Sequence, residues 1–138
     1  MDRDALKKQL IVDEGLRFHA YQDSIGVWTI GVGRNIDRRG PGITVEEAMY
    51  LLDHDIDQVC EELDTHMPWW KNLSSARRAV LANMCFNMGV SRLLQFKNTL
   101  GAMERGEWEA AADGMEDSKW YNQVGARAAR LVDAMRKG

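Results

Sequence analysis

The chain has 138 residues, which is the size of one compact domain or of two small lobes that share a core. Hydrophobic residues make up 45% of it and five residues are tryptophan, so the composition excludes an intrinsically disordered chain. The net charge of −3 disfavours a nucleic-acid-binding protein, and no uncharged run approaches the roughly 20 residues of a membrane-spanning helix.

Acidic and basic residues are distributed unevenly along the chain. Residues 1–68 carry a net charge of −7, and residues 69–138 carry a net charge of +4. Such a division either marks a binding face or is ordinary surface charge, and the sequence leaves both interpretations open. Residues 1–4 are not followed by the apolar stretch that a signal peptide contains, so we expect synthesis in the cytoplasm without a signal peptide.

The N-terminal third is predicted to contain one helix and a small hairpin sheet. Apolar residues recur at helical spacing over 4–13, and Gly15 follows as a helix-stop signal. Residues 21–33 are predicted to form the hairpin, because 27–32 have strand composition and Gly26 separates two short runs. A glycine- and proline-containing turn is expected at 38–42.

The remainder of the chain is predicted to be helical. Thr44 and Glu47 form a capping box that opens a helix of about five turns, which Pro68 ends. Ser74 or Ser75 caps the apolar stretch 79–88, which Gly89 ends. Further helical segments are expected at about 92–105, 107–116 and 125–136.

These elements predict an α+β fold that is mostly helical and forms a single domain over 1–138. A small sheet lobe (about 14–43) is expected beside a larger all-helical lobe (1–13 plus 66–138), with the helix 44–65 joining them. The first helix is assigned to the helical lobe because a short sheet cannot bury it. Two lobes joined in this way leave a cleft, which is where ligands usually bind.

The cysteines and histidines give no sign of a disulfide framework or a metal site. Cys60 and Cys85 lie among apolar helical neighbours, and we expect both to be buried thiols. His19, His54 and His66 do not cluster with cysteine at ligand spacing. We therefore expect neither a metal nor a cofactor.

Glu14 is the first candidate catalytic residue. It lies at the C-terminal end of the predicted first helix, where the negative end of the helix dipole disfavours a carboxylate and would raise its pKa. A carboxyl group that stays protonated near neutral pH can serve as a general acid. Position alone favours the alternative interpretation, a solvated glutamate at a frayed helix end.

Asp23 and Thr29 complete a possible catalytic set. Asp23 lies in the turn before the predicted strand, a common structural position for aspartate. Strand alternation places Trp28, Ile30 and Val32 on one face, predicted to be core, and Thr29 on the other face with two glycines that leave a ligand room. Two carboxylates and a hydroxyl are compatible with glycoside hydrolysis, but the residues alone do not establish it. A threonine in a half-exposed strand is the structural alternative for Thr29.

Three N-terminal segments, 13–17, 21–23 and 28–34, resemble the active-site segment of the T-even bacteriophage lysozymes. Asp23 follows Glu14 by nine residues and Thr29 follows it by fifteen, as in that family. The resemblance continues in order through four more blocks and covers nearly the whole chain: 82–89, 96–100, 118–123 and 127–130.

The resemblance implies a lysozyme-like fold and an endo-acting muramidase that cuts bacterial peptidoglycan between N-acetylmuramic acid and N-acetylglucosamine. It implies that Glu14 is the general acid, that Asp23 is the second carboxylate, and that the Thr29 hydroxyl holds the attacking water, which leads to inversion at the anomeric carbon. It further implies that Arg127 lies near the general acid Glu14 and that Arg130 pairs with Asp13. Glycan contacts are implied for a further set of residues: Asn35, Phe86, Asn87, Thr99 and Arg127.

The same resemblance implies a role in lysis of a bacterial host. A monomer is expected that binds the glycan strand, does not bind nucleic acid, does not insert stably into a membrane, and depends on a holin to be released from the host cytoplasm to the wall. The sequence departs from the family pattern at Arg34, where a histidine is usual, and the segment between Asn35 and Thr44 is short. A histidine-dependent ion pair is therefore absent, and a reduced sheet lobe is expected.

Two other functions remain compatible with the sequence. One is a glycan-binding module that kept the fold and lost turnover, although the presence of all three catalytic matches argues against it. The other is a helical nucleic-acid-binding or interaction protein that uses Arg77, Arg78 and the basic C-terminal helix, although the acidic total argues against it.

Overall fold

Eight α-helices, one short 3₁₀ helix and three β-strands make up the structure, a computed structural model that describes residues 1–138. The predicted α+β class with a small N-terminal sheet is confirmed. The chain forms two compact units, Met1–Tyr50 and Leu51–Gly138, and the boundary between them falls within the second helix. The predicted lobe boundaries, including the packing of the first helix on the helical lobe, stay predictions.

The first unit begins with helix α1 (Arg3–Glu14). Asp2 caps it by accepting a hydrogen bond from the amide of Ala5 (3.1 Å), and Gly15 ends it with a φ of 81°. A positive φ is accessible to glycine at little cost, which explains why the helix stops there. The predicted first helix is confirmed to within one residue at each end.

The sheet has three antiparallel strands in the order β1-β2-β3. Their bounds are Arg17–Gln22 for β1, Trp28–Gly31 for β2 and Arg34–Asn35 for β3. The predicted hairpin is confirmed, but β1 starts four residues before the predicted segment, and β3 was not predicted. A strand of two residues is too short to give a periodic sequence signal.

The prediction that Trp28, Ile30 and Val32 form a buried face is wrong. Trp28 is 47% exposed and Val32 is 37% exposed, whereas Thr29 on the opposite face is only 5% exposed. Val32 also lies in the turn after β2 instead of in the strand. Alternation identifies residues that share a face, but which face becomes covered depends on the rest of the structure.

Helix α2 (Val45–His66) starts at the predicted capping box. The Thr44 Oγ1 accepts from the amide of Glu47 (3.1 Å), and a Glu47 carboxylate oxygen accepts from the amide of Thr44 (2.9 Å). The helix ends two residues before Pro68, as predicted, and a 3₁₀ helix (Pro68–Asn72) follows. No helix of the chain has both the length and the apolar character needed to cross a bilayer.

The second unit consists of helices. After α2 and the 3₁₀ helix come α3 (Ser75–Met88), α4 (Val90–Leu93), α5 (Lys97–Arg105), α6 (Trp108–Glu116), α7 (Lys119–Val124) and α8 (Ala126–Lys137). Ser74 caps α3 by accepting from the amide of Arg77 (3.2 Å), and Gly89 ends it, as predicted.

The prediction of one continuous helix over 92–105 is wrong, because the chain breaks between α4 and α5. Phe96 has a ψ of 52°, outside the helical region, and the amides of Gln95 and Phe96 close short turns onto Arg92 and Leu93. No glycine or proline lies at the break, so the sequence carries no local stop signal there.

All buried apolar side chains of the chain lie in the second unit, between Val59 and Met135. Cys85 belongs to this core at 2% exposure, as predicted, whereas Cys60 is only partly buried, so the prediction for Cys60 is wrong. Burial and the neighbouring Glu62 carboxylate raise the pKa of the Cys85 thiol to about 11. This thiol is therefore uncharged and unreactive at neutral pH.

Arginine side chains fasten the C-terminal helix α8. The Arg77 guanidinium donates to the carbonyls of Met135 (2.8 Å) and Arg136 (3.0 Å) and stacks 3.8 Å from the ring centre of Trp108. These contacts satisfy carbonyls that a helix C-terminus leaves without partners. On the opposite side, Arg136 binds three carboxylates of α6: Glu109, Asp113 and Glu116.

Replacement of Arg77 by methionine should destabilise the protein. The variant keeps much of the apolar stem but loses two charge-assisted hydrogen bonds to α8, so the free energy of unfolding should fall by about 1–3 kcal/mol. Urea denaturation followed by circular dichroism measures this change. Arg78→Met is the matched control, because Arg78 is exposed and makes no side-chain hydrogen bond; equal losses in the two variants would contradict the role of Arg77.

Candidate active site

Glu14 is the last residue of α1, and its side chain is exposed. The carboxyl group lies against Gly33, at the tight turn between β2 and β3. A Cβ atom placed on Gly33 would lie 2.9 Å from Glu14 Oε2 and 3.3 Å from Glu14 Cδ. The helix end and the turn together therefore hold a carboxyl group that remains accessible.

Asp23 is fixed in the turn between β1 and β2. Its Oδ1 atom accepts hydrogen bonds from the amides of Ile25 and Val27, both at 2.9 Å. The amide of Asp23 donates to the carbonyl of Val27 (3.0 Å), which closes the turn. Because the protein uses only Oδ1, the Oδ2 atom of this exposed carboxylate is free to bind a ligand or water.

Thr29 lies in the central strand β2 and is joined to Asp23 through Val27. The Thr29 hydroxyl donates to the carbonyl of Val27 (2.9 Å), and the amide of Val27 donates to Asp23. With its proton engaged in this way, the Thr29 oxygen offers only acceptor capacity to a further partner. The two side chains therefore have fixed orientations.

Arg34 follows Gly33 and fastens β3 to the start of α2. Its guanidinium makes two hydrogen bonds to the Glu47 carboxylate (3.2 and 2.9 Å) and donates to the carbonyl of Gly42 (3.1 Å). Hydrogen bonds from Thr44, and then the Arg34 guanidinium, hold the pKa of Glu47 below its usual value. The arginine that stands in place of the usual histidine thus has an ion pair of its own.

Among the predicted glycan contacts, Asn35 lies in the first unit. Its Oδ1 atom accepts from the amide of Asp37 (2.9 Å), and its side chain packs against Gly40. The amide group is therefore oriented by the loop that follows β3, and its nitrogen is the part left for a ligand.

Phe86 and Arg127 line a groove of about 330 Å³ in the second unit. Phe86 is 45% exposed, and the remaining wall is mostly aliphatic: Leu52, Ile56, Val59, Ala79 and Ala82. The polar members are Asn83 and Arg127, which are joined by a hydrogen bond from Arg127 Nε to Asn83 Oδ1 (2.9 Å).

Asn87 and Thr99 have different surroundings in the same unit. The Asn87 Oδ1 atom accepts from the indole of Trp120 (2.9 Å), so its amide nitrogen points away from the indole. Thr99 is 7% exposed, and its hydroxyl packs against Gly114 of α6. Of these two, only Asn87 has an exposed side chain that a ligand can reach in this structure.

No group of three or more histidine, cysteine, aspartate or glutamate side chains is arranged to hold a metal ion. The first unit offers the two accessible carboxyl groups of Glu14 and Asp23 and the hydroxyl of Thr29, a residue that is only 5% exposed. That set can transfer protons and bind water.

The sequence model of the phage lysozyme family matches residues 12–137. The chain belongs to this family.

Three relatives show how this family member compares in length. It is 33% identical to the pre-baseplate central spike protein Gp5 of Enterobacteria phage T4, covering 93% of this chain and 27% of that protein. It is 28% identical to probable T4-type lysozyme 1 of Dictyostelium discoideum, covering 97% of this chain and 95% of that protein. Against peptidoglycan hydrolase gp36 of Pseudomonas phage phiKMV the identity is 30%, over 94% of this chain and 15% of that protein. The chain thus spans about a quarter or less of the two phage proteins and nearly all of the Dictyostelium protein.

Several supporting residues of this phage lysozyme family member were not singled out from the sequence. Asn83 and Trp120 orient Arg127 and Asn87, and Val27 joins Asp23 to Thr29 through its backbone. The four-residue spacing of Asn83 and Asn87 places both amides on one face of α3, which is a signal that the sequence does carry. The role of Val27 leaves no such signal, because it uses only backbone atoms.

Replacement of Glu47 by glutamine should lower the thermal midpoint at neutral pH. The glutamine oxygen still accepts from Thr44, but the charge that binds Arg34 is lost. Because the folded-state pKa of Glu47 is lowered, its stabilisation is present above the ordinary glutamate value of 4.5 and disappears as pH falls through the lower folded value.

Thermal melts of both proteins between pH 7 and pH 2 measure this difference. Glu46→Gln is the control, since the Glu46 side chain is exposed and makes no hydrogen bond. A gap between native protein and Glu47→Gln that is the same at every pH would contradict the charge-based explanation.

Proposed function

We propose that this chain is an endo-acting glycoside hydrolase that cuts the bond between N-acetylmuramic acid and N-acetylglucosamine in bacterial peptidoglycan. The observation that carries the proposal is the set of three groups in the first unit: an accessible Glu14 carboxyl, and an Asp23 carboxylate joined to the Thr29 hydroxyl through one residue. Family membership, and relatives whose names include lysozyme and peptidoglycan hydrolase, support the substrate class.

Glu14 acts as the general acid in this proposal. Cleavage of a glycosidic bond needs a proton on the leaving oxygen as positive charge develops at the anomeric carbon. The Glu14 carboxyl is exposed, and Gly33 beside it has no side chain to block the approach of a sugar. The carboxyl can therefore deliver its proton directly to the bound glycan.

Asp23 and Thr29 bind the attacking water. The Thr29 oxygen can only accept from that water, because its own proton is bound to the carbonyl of Val27. The free Oδ2 of Asp23 can accept the second proton of the water and remove it as the new bond forms. Attack by such a water on the face opposite the leaving group inverts the anomeric carbon.

Glycan contacts are proposed for residues of both units: Asn35, Phe86, Asn87, Thr99 and Arg127. The exposed ring of Phe86 offers an apolar surface to a sugar face, and the amide nitrogen of Asn87 is oriented to donate. The Arg127 guanidinium keeps donors beyond the one bound to Asn83. Thr99 is only 7% exposed and packs against Gly114 of α6, so a glycan contact by Thr99 would require these two helices to move apart.

In a phage infection such an activity would serve host cell lysis. The proposal includes a monomer that is made in the host cytoplasm, reaches the wall through a membrane opened by a holin, and binds neither nucleic acid nor the membrane stably. Cleavage of purified walls, with and without membrane permeabilisation, separates the enzymatic step from the release step.

Replacement of Glu14 by glutamine should reduce cleavage of purified peptidoglycan by at least about 100-fold to 10,000-fold, because glutamine has the same size but no proton to donate. The protein should remain folded, since the Glu14 side chain is exposed. Lysis of wall suspensions and a thermal melt are measured on the same sample, with Glu46→Gln as the control. Near-normal lysis by the Glu14 variant would remove Glu14 from the mechanism.

The first product should carry the inverted anomeric configuration if Asp23 and Thr29 hold the attacking water. Proton NMR of fresh digests resolves the two anomers before they interconvert. The Asp23→Asn variant should cleave more slowly, because an amide cannot take the proton of the water. A retained configuration in the first product would exclude the water-binding role of this pair.

A further inference from the structure

We propose that Gly33 is a positioning residue that sets the location of the Glu14 carboxyl group by having no side chain. The inference rests on the proposed role of Glu14 as the general acid. Gly33 contributes no reacting atom of its own; it acts only through the space that it leaves for Glu14.

The geometry is specific. A Cβ atom on Gly33 would lie 2.9 Å from Glu14 Oε2, which is closer than a Cβ atom approaches another non-bonded heavy atom in folded proteins. The same atom would lie 3.3 Å from both Cβ and Cδ of Glu14. The whole length of the Glu14 side chain, and not only its end, therefore occupies the space beside Gly33.

Backbone conformation alone does not explain this glycine. Four other glycines of the first unit also have a positive φ, and a Cβ placed on any of them would meet nothing within 4 Å: Gly15, Gly26, Gly31 and Gly42. Gly33 shares their conformation, with a φ of 68°, but it alone among them is packed against a candidate catalytic side chain.

The two partners differ in their freedom to move. Gly33 is followed by Arg34, which pairs with Ile30 in the sheet and is fastened to Glu47 by two hydrogen bonds. The Glu14 side chain is exposed and makes no hydrogen bond. A methyl group on Gly33 would therefore displace the Glu14 carboxyl instead of the turn.

Displacement of the acid has a defined kinetic consequence. A shift of about 1 Å in a reacting group can lower the rate of the chemical step by about 100-fold without changing substrate binding. Gly33→Ala should therefore lower kcat by about 10-fold to 100-fold and leave KM nearly unchanged.

The test compares Gly33→Ala with Gly42→Ala, using peptidoglycan fragments as substrate. Gly42 has a φ of 58° and open space around its Cα, so Gly42→Ala carries the backbone strain without the contact to Glu14. If Gly33→Ala does not fold, the pair Gly33→Asn and Gly42→Asn replaces it, since asparagine tolerates positive φ values.

The proposal predicts a loss of kcat at nearly unchanged KM in the Gly33 variant only. Equal kinetics in the Gly33 and Gly42 variants would overturn it, and so would a change in KM with an unchanged kcat. The Glu14→Gln variant, measured in parallel, separates failure of the proposed function from failure of the proposed role of Gly33. Full activity of Glu14→Gln defeats the proposed function, whereas an inactive Glu14→Gln with a normal Gly33→Ala defeats only the role of Gly33.

Discussion

The first unit has no buried apolar side chain, and its local structure therefore depends on hydrogen bonds between polar side chains and the nearby backbone. Asp2 starts α1, Asp23 closes the β1–β2 turn, Asn35 orders the loop after β3, and Thr44 with Glu47 starts α2. Each of these bonds spans only a few residues. Asp23 and Thr29, two of the candidate catalytic residues, are oriented by the same kind of bond, whereas the Glu14 side chain makes no hydrogen bond.

The second unit is held together in the opposite manner. Its helices enclose a continuous apolar core, and arginines then fasten its C-terminal helix to α3 and α6. The polar side chains proposed to contact glycan are oriented by partners on other helices, as Asn87 is by Trp120 and Arg127 is by Asn83. A rigid helical core is suited to this task because it holds such pairs at constant separation.

The division has a consequence for the chemistry. In the proposed reaction, proton transfer depends on well-defined positions of the reacting groups. Asp23, Val27 and Thr29 are joined by hydrogen bonds, and the Glu14 side chain lies against Gly33. The accessible carboxyl of Glu14 and the free oxygen of Asp23 leave the reacting atoms open to a substrate. Thr29, by contrast, is only 5% exposed, so its orientation is set by burial as well as by its hydrogen bond to Val27.

The sequence by itself determined the features that depend on residues within about four positions of one another. The end of α1 at Gly15 and the capping box at Thr44 follow from short-range geometry, and the structure confirms both. The sequence narrowed the cap of α3 to Ser74 or Ser75, and the structure shows that it is Ser74. Membership of the phage lysozyme family was also evident from the order of the motifs, since those motifs are local strings.

Only the tertiary structure decided the features that require distant residues to meet. It determined that Trp28 is exposed while Thr29 is buried, that the helical segment predicted at 92–105 breaks at Phe96, and that Gly33 lies against Glu14. Periodicity identifies residues that share a face but not what covers that face, and no string of residues encodes which glycine will touch which carboxyl group. Those outcomes depend on the path of the chain, which brings residues 14 and 33 together through a turn that neither of them specifies alone.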